Sequence, residues 1–156
     1  MNFKCKKIVK ILRKKKLKIA LAESCTGGIL SSKITAVIGS SKVFTMGLVT
    51  YSNESKNSIL KVPKNIIKKY GAVSSECCSS MVRNLRKISK SKVCVSITGI
   101  AGPGGGSRKK PVGLVFIGFQ KEKKITIKKY LYKNKGRLFI QNSAINSSLD
   151  LILKNI

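Results

Sequence analysis

LKIALAESCTGGILSSKITAV, residues 17–37, joins a short apolar run to a turn and then to a helical pattern. The run LKIALA (17–22) predicts a strand, and the apolar spacing that follows predicts a helix over 26–37. The turn between them carries three hydroxyl or thiol side chains: Ser24, Cys25 and Thr26. At the start of a helix the backbone N–H groups are free and the helix dipole is positive. A strand-to-helix turn is a common position for the chemistry of α/β enzymes.

The rest of the chain continues the alternation of strands and helices. Further strands are predicted at 43–52, 92–98, 112–119 and 123–132, and helices at 3–15, 53–60, 63–70, 75–89 and 137–155. Helices alternate with strands early and a hairpin comes late, a pattern typical of an α/β protein with a mixed sheet. We therefore expect residues 1–156 to form a single three-layer α/β/α domain.

The composition is strongly basic, with 33 Lys and Arg residues against 5 acidic ones and a net charge of +28. Lysines are spread along the whole chain and aromatic residues make up only 6%, which favours compositional drift over a dedicated nucleic-acid surface. No specific nucleic-acid partner is expected, although a polyanion-binding protein stays open as an alternative. No apolar run approaches the ~18 residues that span a bilayer, so no membrane partner is expected. Five cysteines without a CxxC pair fit a reduced, cytoplasmic setting.

Most standard catalytic constellations are excluded because the chain contains no histidine. That excludes a Ser-His-Asp triad, a Cys-His pair and a His-ligated metal. The five acidic residues are scattered, so neither a metal site nor a metal cofactor is expected: Glu23, Glu54, Glu76, Glu122 and Asp150. What remains is a Ser, Cys or Thr nucleophile assisted by Lys or Tyr.

Ser24 is the preferred nucleophile, but a serine at this position could equally serve as the helix N-cap. Cys25 competes with it, because a helix N-terminus can lower a thiol pKa, or it could be a small buried apolar residue. Thr26, Gly27 and Gly28 could offer a hydroxyl group and unobstructed backbone N–H groups to an anion.

A second segment, TYSNESK (50–56), places Tyr51 at the end of a strand and Lys56 in the first turn of the next helix. The helix dipole disfavours a cation there, and partial burial would lower the pKa of the lysine further. A lysine with a lowered pKa can act as a general base. The alternative is that Lys56 is a solvated surface charge like most of the other lysines.

A third segment, TGIAGPGGGS (98–107), is a glycine-rich loop after the predicted buried strand 92–98. Its backbone could approach a ligand closely and present N–H groups to a phosphate or an oxyanion. It matches neither the Walker pattern nor the dinucleotide fingerprint, so neither nucleotide-binding fold is implied. A flexible surface loop is the alternative.

Together these segments resemble the CinA C-terminal family from about residue 5 to residue 155. The resemblance rests on five motifs in the family's order and spacing: AESCTGG (22–28), GSSKVFTMGLVTYSNESK (39–56), GAVSSE (71–76), TGIAGPGGGS (98–107) and KPVG (110–113). Stand-alone members of the family include nicotinamide-nucleotide amidohydrolases. The resemblance implies hydrolysis of the carboxamide of nicotinamide mononucleotide to nicotinate mononucleotide and ammonia, with no cofactor, by a homo-oligomer.

Carried onto matching positions, the resemblance implies Ser24 as nucleophile, Lys56 as its base and Tyr51 as a proton relay or orienting group. It also implies a set of residues around the substrate: Thr26, Gly27, Gly28, Thr98, Gly99, Gly102, Gly104, Gly105 and Arg137. The chain departs from the family where Gly136 replaces an acidic residue and Gln141 replaces a second arginine. A nucleotide-binding protein that has lost its turnover is a further alternative.

The high net charge leads to a testable prediction about nucleic-acid binding. If the charge has no dedicated partner, binding to nucleic acid at low salt should disappear by about 0.2 M salt, because such binding depends on counterion release. Fluorescence anisotropy with a labelled oligonucleotide across a salt titration measures this. Tight binding that survives physiological salt would favour the polyanion-binding alternative.

Overall fold

The computed structural model describes residues 2–156, which contain five strands, six α-helices and one short 3₁₀ turn at Ser40–Lys42. The strands are β1 (Ile19–Glu23), β2 (Phe44–Val49), β3 (Val93–Gly99), β4 (Leu114–Lys121) and β5 (Lys124–Leu131). The helices are α1 (Asn2–Lys14), α2 (Ile29–Thr35), α3 (Asn53–Ser58), α4 (Lys64–Tyr70), α5 (Ser75–Ser89) and α6 (Arg137–Asn155).

The strands form one mixed sheet in the order β2-β1-β3-β4-β5. Strand β1 pairs in parallel with both β2 and β3, whereas β4 runs antiparallel to β3 and to β5. The three parallel strands therefore end at the same edge of the sheet. In open α/β sheets, ligands bind outside the carboxyl ends of such strands, so this edge is where a site is expected.

Both faces of the sheet are covered by helices. Ile19 and Leu21 of β1 pack in a core cluster with apolar residues of α1, α2 and α6, while Ala20 and Ala22 pack in a second cluster with α5. Successive side chains of a strand point to opposite faces, so a strand buried on both faces has an unbroken apolar sequence. The α/β/α architecture with a mixed sheet is confirmed.

Element positions agree with the sequence patterns except at some boundaries. Helix α2 begins at Ile29 rather than residue 26, because Gly27 and Gly28 adopt left-handed φ values of 59° and 93° and extend the turn. Strand β2 ends at Val49, three residues earlier than expected, and the chain then leaves the sheet toward α3. Among residues 2–156, none of the helices combines the length and the apolar character needed to cross a membrane.

Gly118 of β4 lies where α5 packs closely on the sheet. A Cβ atom at this position would lie 2.5 Å from Ser96 Oγ and 3.2 Å from Cys78 Sγ. Ser96 cannot move without loss, because its hydroxyl donates a 2.8 Å hydrogen bond to the carbonyl of Cys78. The close approach of helix and sheet thus requires glycine here.

We expect Gly118→Ala to lower the free energy of unfolding by about 1–3 kcal/mol through overpacking. Gly104→Ala is the matched control, since a Cβ at Gly104 would have no atom within 4 Å. Urea denaturation of the two variants and the wild type measures the difference. Equal stability of both variants would contradict the close packing described for Gly118.

Candidate active site

Ser24 is the first residue after β1, at the sheet edge where the parallel strands end. Its backbone N–H donates to the carbonyl of Ile97 on β3 at 3.0 Å, which extends the sheet pairing by one residue. Its own carbonyl accepts from the N–H of Gly27 at 3.0 Å, which closes the turn. The Ser24 side chain is thus held by backbone contacts on both sides and is 7% exposed.

Glu23, not Ser24, satisfies the start of α2. Its carboxylate accepts hydrogen bonds from the N–H groups of Gly28, Leu30 and Ser31 at 3.2, 3.1 and 2.8 Å, and from Ser31 Oγ at 2.7 Å. A carboxylate at a helix N-terminus is favoured by the dipole as well as by these donors. The interpretation of Ser24 as the N-cap is therefore wrong, and its hydroxyl is free for another partner.

That partner is Lys56, whose side chain is only 1% exposed. Its amine contacts Ser24 Oγ at 3.0 Å and the carbonyl oxygens of Thr50 and Tyr51 at 2.9 and 3.2 Å. The turn at 50–52 positions it, because the Ser52 hydroxyl caps α3 by accepting from the N–H of Ser55. The alternative of a solvated surface lysine is wrong for Lys56.

Burial lowers the pKa of Lys56 below its ordinary value, while the nearby thiols of Cys77 and Cys25 act in the opposite direction. Of the two causes predicted from the sequence, the helix dipole and burial, burial is the main one in the structure, where Lys56 is the fourth residue of the six-residue α3. A neutral amine has two N–H donors for the two carbonyls and one lone pair. That lone pair can accept the proton of the Ser24 hydroxyl.

Cys25 is buried beside Ser24, and burial raises the pKa of its thiol to about 12. A thiol with so high a pKa stays protonated near neutral pH, and the thiolate is the nucleophilic form. The dipole of α2 does not rescue it, because Glu23 already occupies the helix start. Cys25 therefore fits the alternative of a small buried apolar residue better than that of a nucleophile.

A cavity of about 220 Å³ opens at this edge of the sheet. Nine of the twelve residues singled out from the sequence line it: Ser24, Tyr51, Lys56, Thr98, Gly99, Gly102, Gly104, Gly105 and Arg137. The strand ends of β1, β2 and β3, the glycine-rich loop and the start of α6 thus meet at one place. Cys25 and Asn53 also line the cavity.

Arg137, the first residue of α6, connects two walls of the cavity. Its guanidinium donates from Nη1 to the carbonyl of Gly102 at 2.8 Å and from Nη2 to the Tyr51 hydroxyl at 2.7 Å. The phenol of Tyr51 is thus bonded to Arg137, while its carbonyl is bonded to Lys56. Tyr51 is 56% exposed and lies at the rim of the cavity.

Thr26, Gly27 and Gly28 are the three singled-out residues that the structure does not bring to the cavity wall. The N–H of Gly28 is bonded to Glu23, and that of Gly27 to Ser24. Thr26 is fully buried, and its hydroxyl has no hydrogen-bond partner within residues 2–156. The start of α2 is therefore closed by the protein's own carboxylate.

The roles of two further residues were not predicted from the sequence. Glu23 had a usable signal, since an acidic residue shortly before a helix can cap it. Gln141 of α6 was noted only as a departure from the family, and nothing in the sequence indicated its contact: its Nε2 donates to the carbonyl of Cys25 at 2.8 Å, across 116 residues of sequence. Within residues 2–156, no group of three or more His, Cys, Asp or Glu side chains is arranged to hold a metal ion.

Comparisons of the sequence and of the structure with known proteins find the same group of proteins. The model of the CinA C-terminal domain matches residues 2–156. A CinA-like protein of Prochlorococcus marinus (strain MIT 9515) is 48% identical over 151 residues, which cover 94% of this chain and 35% of that protein. The chain thus spans about a third of the length of the curated relatives it matches.

Solved structures are similar over almost the whole chain. The crystal structure of the competence/damage inducible protein CihA from Agrobacterium tumefaciens superposes with a TM-score of 0.96 at 32% identity, covering 98% of this chain and 93% of that one. A competence or damage-inducible protein from Enterobacter asburiae gives a TM-score of 0.93 at 28% identity, covering 98% and 96%.

The lowered pKa of Lys56 has a measurable consequence for stability. The unfolded chain binds the proton up to about pH 10.5, the ordinary lysine value, whereas the folded chain releases it at lower pH. Between these two values the unfolded state binds more protons, so stability rises with pH. We expect the free energy of unfolding of the wild type to rise toward pH 10 relative to Lys56→Met, measured by urea denaturation at several pH values. Subtracting the variant removes the titration of the other lysines, and a flat difference would contradict the lowered pKa.

Proposed function

Because this chain belongs to the CinA C-terminal domain family, we propose that it is an amidohydrolase acting on the carboxamide of nicotinamide mononucleotide. The products would be nicotinate mononucleotide and ammonia, formed through a serine-lysine mechanism. The observation that carries the proposal is the 3.0 Å contact between Lys56 Nζ and Ser24 Oγ, buried at the wall of a cavity. A nucleophile and base within hydrogen-bond reach, with the base oriented by further groups, is the geometry of covalent catalysis.

Orientation of the base is supported by the carbonyls of Thr50 and Tyr51. They hold the two N–H groups of neutral Lys56 and leave its lone pair directed at the Ser24 hydroxyl. In the first half-reaction, Ser24 Oγ attacks the carboxamide carbon while its proton moves to Lys56 Nζ. The ammonium group then gives a proton to the leaving nitrogen as the C–N bond breaks, which releases ammonia and leaves an ester on Ser24.

In the second half-reaction, water attacks this ester. Lys56, neutral again after ammonia has left, accepts a proton from the water molecule and returns one to Ser24 Oγ as the C–O bond breaks. Nicotinate mononucleotide leaves and the site is restored. Each half-reaction needs a base that is neutral at working pH, which is the form favoured by the burial of Lys56.

The oxygen of the tetrahedral intermediate needs hydrogen-bond donors. The amide group of Cys25, which lines the cavity beside the nucleophile, is suited to this role. The carbonyls of Ser24 and Cys25 are bonded to Gly27 and Gln141, whereas the N–H group of Cys25 donates to no other residue in the described chain. In a trans peptide the N–H lies opposite its carbonyl, so the held carbonyl of Ser24 also fixes this donor.

The cavity suits one end of a nucleotide. Its volume of about 220 Å³ is below the roughly 300–1,000 Å³ of sites that enclose drug-sized ligands. The reacting pyridine ring would lie inside, against Ser24, with the ribose phosphate toward the rim. There the glycine-rich loop offers backbone N–H groups, and Arg137 adds a positive charge and donors beyond the two that it uses internally.

The proposal is tested by ammonia release from nicotinamide mononucleotide. We expect the wild type to release ammonia, Ser24→Ala to abolish release, and Lys56→Met to lower kcat by about 10²–10⁴-fold, the range of a general base. Cys25→Ala, next to the nucleophile, should keep most of the activity. An assay coupled to glutamate dehydrogenase measures the rate of ammonia release, and mass analysis identifies the product.

Two outcomes would overturn parts of the proposal. Wild-type protein that binds the mononucleotide in calorimetry but releases no ammonia would be a nucleotide-binding protein without turnover. Activity lost in Cys25→Ala and kept in Ser24→Ala would show that the nucleophile is the thiol.

A further inference from the structure

Gln141 is a buried polar residue that the mechanism above does not use as a reactant. It lies on the inward face of α6, is 8% exposed, and donates its side-chain N–H to the carbonyl of Cys25 at 2.8 Å. A buried amide and a buried carbonyl both lose their hydrogen bonds to water on folding. This bond replaces them, since leaving either group unpaired would lower the stability of the folded state. It also joins the nucleophile turn to a helix 116 residues away.

The bond holds one particular peptide plane. The plane between Ser24 and Cys25 is fixed from within the turn by the N–H of Gly27. The plane between Cys25 and Thr26 has its carbonyl held by Gln141. Without Gln141, the carbonyl of Cys25 has no partner, and the backbone of Cys25 is held on the Ser24 side only.

The hydrogen bond of Gln141 is one of three that the first residues of α6 make to the site. Arg137 and Gln141 are four residues apart and therefore lie on the same side of the helix. Arg137 bonds the carbonyl of Gly102 and the hydroxyl of Tyr51, while Gln141 bonds the carbonyl of Cys25. One helical turn thus sets the positions of the glycine-rich loop, the cavity rim and the nucleophile turn relative to one another.

We infer that Gln141 is a positioning residue that fixes the backbone of Cys25 on the side away from Ser24, and with it the Cys25 N–H that would donate to the reaction intermediate. The inference rests on the proposed function, since it assigns Gln141 to the same site. Its loss should affect the step in which negative charge develops on oxygen more than it affects binding. The expected signature is a fall in kcat with little change in KM.

The test compares Gln141→Met with Gln120→Met. Methionine keeps the unbranched shape and removes the donor. Gln120 is the matched control because it is also buried, at 7% exposure, and also donates to a backbone carbonyl, that of Glu122, at 2.9 Å. It pairs with Cys94 near the beginning of β3, at the opposite edge of the sheet from the cavity. Both variants therefore lose one similar hydrogen bond.

We expect Gln141→Met to lower kcat for ammonia release by at least about tenfold with KM within about twofold, since loss of an oxyanion donor costs about 10²–10³-fold. Gln120→Met should leave both constants within about twofold. Melting curves of the two variants would check that both remain folded. Equal kcat values in the two variants would overturn the inference and leave Gln141 a purely structural residue.

A second readout separates this inference from the choice of substrate. p-Nitrophenyl acetate can acylate Ser24 through the same type of intermediate. The reaction is monitored by the release of nitrophenol and by the mass of the acetylated Ser24 peptide, and Ser24→Ala serves as the blank. If the wild type ignores nicotinamide mononucleotide but Gln141→Met alone slows acetylation, the inference stands and the substrate assignment fails. If Ser24 reacts with neither compound, both the inference and the serine-lysine mechanism are overturned.

Discussion

The Glu23 carboxylate accepts hydrogen bonds from three backbone N–H groups and one hydroxyl at the start of α2, and the rest of the site depends on this interaction. A helix that begins just after a strand needs a cap, and the serine in the turn is the residue type that normally supplies it. Because the preceding glutamate does so from inside the core, the Ser24 hydroxyl is available to Lys56. The same carboxylate occupies the positive end of the helix and takes up N–H groups that would otherwise be free there.

Burial of Lys56 is the second constraint. Lysine is rarely buried completely, and one that is buried must find hydrogen-bond partners or lose its charge. Here the chain leaves β2 so that two consecutive carbonyls face the amine, and the third partner is Ser24. Among 28 lysines in the sequence, Lys56 is distinguished by this environment and not by its residue type. Its basicity is a property of the fold around it.

Much of the fold followed from the sequence because apolar periodicity is local. The strands, the hairpin and α6 lie close to where the patterns placed them, and the errors are at ends, where Gly27 and Gly28 delay α2. Ser24 and Lys56 were singled out from two separate motifs. They meet because both motifs follow parallel strands that end at the same edge of the sheet. Gln141 could not be found in this way, because a single polar residue on an apolar helix face carries no sign of which distant carbonyl it will meet. The lowered pKa of Lys56 was predicted from the helix dipole and from partial burial, and burial is its main cause.

The contact between α6 and the nucleophile turn has a consequence for when the site exists. This contact spans 116 residues, and closing so long a loop costs entropy before the contact returns any stabilisation. Strands β1 and β3 pair with each other without using residues of α6, whereas the cavity has all its walls only when α6 is docked. Partial opening of the first turn of α6 would also dismantle the cavity while leaving the sheet intact, because helix ends open more easily than central strands. The reactive serine thus depends, for a complete site around it, on a helix that follows it by more than a hundred residues.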